Sequence, residues 1–143
     1  MRINVSTDYA IRTLLFAGAH PSRLVTVKEV AELQLISENH LMKIVWILSK
    51  LGFLHTVRGR GGGFKLAKPA TLIKVGEVVL QFEKMMHSTD AEQSYMGGYA
   101  IPYVMDKAYS LFIDSLQSST LEDLLRIESQ KNDEVEVFET FSS

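Results

Sequence analysis

A mainly α-helical fold with one small β-hairpin is what three features of this sequence predict. Apolar residues recur at helical spacing along most of the chain. The spacing lapses between residues 53 and 67, where "FLHTV" and "GFKLA" are short runs rich in β-branched or aromatic residues. Between them lies "RGRGGG", residues 58–63, and glycine accepts the positive φ angles of tight hairpin connections.

Each element has its own justification. Ser6 or Thr7 is placed to cap a first helix of about a dozen residues. Ile11, Leu14 and Leu15 group on one side of it, and Gly18 takes the next place, where a missing side chain lets another element pack closely. "HPSRL", residues 20–24, ends that helix. Thr26 with Glu29 predicts a capping box, and Val30 with Leu33 a short apolar face, for a second helix. Ser37 is the expected cap of a third, in which Leu41, Ile44, Val45, Leu48 and Leu51 have the spacing of one buried stripe, closed by Gly52. After the hairpin, which Pro69 ends, Val75, Val78, Val79, Phe82 and Met86 predict a fourth helix.

"HSTDAEQSYMGGY", residues 87–99, is polar and aperiodic and reads as a loop. A long helix follows, with Pro102 in its first turn and a stripe of Ile101, Val104, Met105, Ala108, Leu111, Phe112 and Leu116. A last short helix begins at Thr120, with Asp123 as capping-box partner, and buries Leu121, Leu124 and Leu125. From Ser129 the tail is acidic and weakly patterned, so it is expected to be mobile. The expected units are a domain over 1–83, a loop over 84–100, a helical pair over 101–128 and an acidic tail over 129–143.

Composition narrows the function. The 143 residues are enough for one domain with an appendage. The absence of cysteine excludes disulfides, thiolate metal sites and a cysteine nucleophile. No apolar run approaches the roughly 18 residues that cross a bilayer. "MRINVSTDYA" has no apolar signal core, so a cytoplasmic protein without a membrane partner is expected. Residues 1–80 hold eleven Lys and Arg against five Asp and Glu, a net of +6; residues 81–143 hold four against twelve, a net of −8. A basic half attracts polyanions and an acidic half repels them.

Three helices followed by a glycine-tipped hairpin are the parts of a winged helix-turn-helix DNA-binding domain, in their order. Burying the apolar stripe of the third helix leaves Glu38, Asn39, His40 and Lys43 on the opposite face near its N-terminus, the end that reaches base edges in the major groove. Thr26, Lys28 and Ser37, at the starts of the second and third helices, join them where helix dipoles favour phosphate. The glycine run is not a nucleotide cradle, because it precedes the strand "FKLAKP" rather than a helix and no Gly-Lys-Ser/Thr follows. It reads instead as a wing tip. Gly61 permits close approach, Arg58 and Arg60 are carried toward a narrow minor groove, and Lys65 and Lys68 supply further cations.

"STDYAIRTLL" (6–15), "ISENHLMKIVWILSKLGFL" (36–54), "VRGRGGGFKLAKPATLIKVGEVV" (57–79) and "STLEDL" (119–124) resemble the Rrf2 family of bacterial winged-helix regulators. Within it they are most similar to the nitric-oxide-sensing repressor branch. The resemblance implies a homodimer joined by the long helix, Ile101 to Gln117, and a palindromic double-stranded DNA operator. It also implies a repressor whose inducing signal, a protein or a small molecule, the sequence does not name. Cluster-binding relatives place three cysteines in the loop before the dimer helix. The corresponding positions here are Ser88, Gln93 and Tyr99, which are not iron–sulfur ligands, so no cofactor is expected. Asp8, where some relatives supply a ligand, reads as a carboxylate favouring a helix N-terminus.

Other readings compete. His87, Asp90 and Glu92 offer metal-ligand types, but their spacing matches no defined site. Met85, Met86, Tyr95, Met96, Tyr99 and Tyr103 suit a small-ligand pocket and suit core packing equally. A protein-interaction module with weak DNA binding, regulated by a partner at the acidic tail, is the alternative function. No Ser-His-acid set or paired carboxylates in a cleft point to an enzyme.

Overall fold

The computed structural model describes residues 3–86 and 98–142. In chain order its elements are α1 (Val5–Ala19), α2 (Val27–Gln34), α3 (Glu38–Lys50), β1 (Leu54–Val57), β2 (Gly63–Leu66), a 3₁₀ turn (Ala70–Leu72), α4 (Val75–Met86), α5 (Ala100–Gln117) and α6 (Leu121–Ser142). The hairpin is antiparallel, pairing Leu54 with Leu66 and Thr56 with Phe64. Val25 joins it by two backbone bonds to Phe64, of 2.9 and 2.8 Å. That bridge fastens the segment just before α2 to the second strand of the hairpin, one residue pair from the turn.

The expected caps form where the local chemistry requires. Thr26 Oγ1 accepts the Glu29 N–H at 3.2 Å, and the Glu29 carboxylate accepts the Thr26 N–H at 3.4 Å. Ser37 Oγ accepts from His40 N at 3.2 Å. α1 differs: Asn4, not Ser6 or Thr7, is its cap and accepts from Ser6 N at 2.9 Å, so the helix has 15 residues. Asp8 stands in its first turn, paired with Arg12 at 2.9 Å.

The main core gathers Leu14, Leu41, Ile44, Leu48, Phe53, Phe64, Ile73 and Phe82 from α1, α3, the hairpin and α4. Gly18 faces α6, where a Cβ would come within 3.0 Å of Leu125, so the close approach expected at this glycine is the seat of the last helix. A smaller cluster of Val75, Val79 and Ile113, with Tyr109, Phe112 and Leu116 against it, joins α4 to α5. Phe112 and Leu116 therefore pack within the chain, whereas Ile101, Val104, Met105, Ala108 and Leu111 of the same expected stripe are exposed. A tail beginning at residue 129 is not what the backbone forms: α6 continues to Ser142. Residues 129–142 contain neither Gly nor Pro and several good helix formers, so nothing in them terminates a helix already begun.

Candidate nucleic-acid interface

α3 buries Leu41, Ile44, Val45, Ile47 and Leu48 and turns the opposite side outward. Ser37, Glu38, Asn39 and Lys43 are exposed at or near its N-terminus. Ser37 Oγ already accepts one backbone N–H, and its own O–H proton remains to donate. Thr26 and Lys28 are exposed at the start of α2. Lys28 and Lys43 have no ion-pair partner among the described residues, which leaves both ammonium groups free for phosphate.

His40 is placed otherwise than its position near the helix start predicts. Its Nε2 lies 3.2 Å from Ser6 Oγ, and its ring meets Tyr9 edge-on at 5.5 Å between centroids. Three residues after Ser37 the helix has rotated this side chain toward α1, on the flank that Ile47 buries two turns later. It braces α3 against α1 and stands aside from the outward face.

The hairpin tip is a four-residue turn closed by Gly62 N–H donating to Gly59 O at 3.0 Å. Arg60 takes its second position. Gly61 takes the third with φ +75°, a conformation that disfavours any side chain there. At Gly63 a Cβ would collide with the carbonyl oxygen of Val25, so the bridge between the hairpin and the segment before α2 needs a glycine at that site. Arg58 and Arg60 are exposed and unpaired among the described residues. Lys65 is exposed on β2, beside Lys68, and both line a groove with Gly18 and Glu122. Lys68 Nζ lies 5.0 Å over the Phe53 ring, so the second lysine is held at the hairpin base rather than its tip.

Three outward residues of α3 were not among those expected to meet a ligand: Met42, Trp46 and Lys50. The signal was available, since from Asn39 they follow at helical intervals of three, four and four. Of the cluster-loop positions, Ser88 and Gln93 lie outside the described residues, as do His87, Asp90, Glu92, Tyr95 and Met96. Tyr99 is exposed just before α5, its ring 5.7 Å from that of Tyr103. Met85 and Met86 pack against the main core.

Residues 3–127 match the family model described as Rrf2: Iron-dependent Transcriptional regulator. The chain is 37% identical over 137 residues to the HTH-type transcriptional regulator NsrR of Oceanobacillus iheyensis, covering 91% of this chain and 93% of that protein. It is 36% identical over 132 residues to NsrR of Bacillus licheniformis, covering 87% and 92%. Among solved structures, T. potens IscR matches with a TM-score of 0.70 and 26% identity, covering 90% of this chain and 88% of that one. The iron in the family description does not suit the donors present here. With no cysteine there is no thiolate to ligate a cluster, and no group of three His, Asp or Glu among the described residues is arranged to hold a metal ion.

Proposed function

The chain belongs to the Rrf2 family of transcriptional regulators and is no enzyme, and from that premise we propose that it is a homodimeric, sequence-specific repressor of the cytoplasm that operates without an iron–sulfur cluster. The observation that carries this reading is that α3 and the hairpin both present exposed polar and cationic side chains, on elements joined through the segment before α2. α3 begins with exposed Glu38 and Asn39 and carries exposed Lys43 one turn on, the hairpin tip carries exposed Arg58 and Arg60, and the Val25–Phe64 bridge ties the hairpin to the segment that leads into α2. In this reading α3 enters the major groove and the wing meets the adjacent minor groove. The exposed apolar side of α5 joins two chains, setting two recognition helices about 34 Å apart on a palindromic site. A dimer so seated represses by occupying promoter DNA, with no further contact required.

The test begins with selection of a preferred duplex from random DNA. Affinity for that duplex is expected to fall steeply with salt, since each phosphate neutralised by a Lys or Arg releases counterions. A flat log–log plot refutes the mechanism. Arg60→Ala is expected to weaken binding while leaving oligomeric state unchanged. Asn39→Ala is expected to relax base preference at one position by about 1–3 kcal/mol, measured by repeating the selection with the variant.

A further inference from the structure

The outward face of α3 carries an apolar strip within a cationic border. Met42 is 51% exposed and Trp46 55% exposed, and the two are one helical turn apart. Asn39 continues the strip toward the N-terminus and Lys50 toward the C-terminus, where its Nζ lies 5.7 Å from the centre of the Trp46 ring. Lys43 is exposed beside Met42, and no carboxylate pairs with Lys43 or Lys50 among the described residues. Among the described residues, the Met42 and Trp46 side chains both stay about half exposed.

An apolar protein partner would have to desolvate both unpaired lysines. Duplex DNA meets the whole arrangement: phosphates line the walls of the major groove, and the 5-methyl group of thymine is the apolar feature of its floor. Resting on the reading above, in which α3 lies in that groove, we infer that Met42 and Trp46 are specificity residues that read thymine methyl groups, while Lys50 holds the phosphate alongside. Trp46 is two turns from Asn39, about 10 Å along the helix, so the thymine it meets lies about three base pairs from the base met by Asn39. The indole N–H, a donor only, has phosphate oxygens within the same groove to accept from it. The consequence is a bias toward A·T pairs inside each half-site.

Replacing thymidine by deoxyuridine, one position at a time, in the duplex selected by the wild-type protein removes a methyl group and leaves base pairing intact. At one or two positions per half-site the affinity is expected to drop about fourfold per methyl. That drop is expected to vanish in Met42→Ala or Trp46→Ala. Trp46 is the only tryptophan, so its emission reports on this site alone. Acrylamide quenching of the wild-type protein is expected to fall when the selected duplex is added. If the duplex binds while every deoxyuridine is tolerated and quenching is unchanged, the inference is overturned and the proposed function stands. If selection returns no preferred duplex, both fail. If Trp46→Ala alters the sedimentation of DNA-free protein, the strip is a self-association surface and the inference is overturned.

Discussion

The Asp123 carboxylate accepts the Thr120 N–H at 2.9 Å, while the Asp123 N–H donates to Thr120 Oγ1 at 3.2 Å. The backbone bond first, and the hydroxyl second, hold this carboxyl below the ordinary aspartate range. A carboxyl depressed by folding contributes stability above its unfolded pKa of about 4, and the contribution is lost as pH falls through the lower folded value. The melting temperature of the wild-type protein is therefore expected to fall more steeply than that of Asp123→Asn between about pH 6 and about pH 3. Parallel curves would remove Asp123 from the acid response. Caps such as Thr120–Asp123 and Thr26–Glu29 were legible in the sequence because donor and acceptor are three residues apart and need only the first helical turn to meet. His40 was not legible in the same way, because its partner Ser6 lies 34 positions away and only the packing of α1 on α3 brings them together.

Between elements, glycine decides how closely helices approach. Gly76 opens α4 against α5: a Cβ there would stand 2.7 Å from Ile113 O and 2.8 Å from Gln117 N. Alanine would gain about 1 kcal/mol of helix propensity. The obstacles are main-chain atoms of α5, which cannot swing aside as a side chain would, and overpacking of this kind costs about 1–3 kcal/mol. The clash prevails, and Gly76→Ala is expected to lower the melting temperature; a rise would mean that α5 shifts freely. Gly18 was readable as a contact glycine because it extends an apolar stripe of its own helix, whereas the clash at Gly76 depends on where another helix lies. The extent of α6 was misjudged for a different reason. Acidity and weak patterning suggested a tail, but propensity and the absence of Gly and Pro carry the helix on to Ser142.

At the scale of the molecule, α5 leaves a run of apolar side chains uncovered among the described residues: Ile101, Val104 and Leu111 are 71%, 61% and 64% exposed. A second copy of the chain is the proposed cover. Leu111→Glu is expected to yield monomers by sedimentation, with helical content retained and operator affinity sharply reduced, since one recognition helix would then act alone. A dimer that survives this change would move the interface elsewhere. Glu83 ties this helix to the rest of the fold. It accepts from Thr7 of α1 at 3.3 Å and from Tyr109 of α5 at 3.1 Å, so three elements meet at one carboxylate. By itself the sequence determined the order and type of the elements, most of the caps, the glycine tip with its arginines and the impossibility of a thiolate-bound cluster. Each of these follows from residue identity or from bonds and periodicities spanning a few positions. Only the tertiary structure decided what covers a given side chain: that His40 turns to α1, and that Phe112 and Leu116 pack inward while Leu111 does not. Apolar residues on one helix are alike in sequence, and what separates core from interface is the neighbouring helix that covers them.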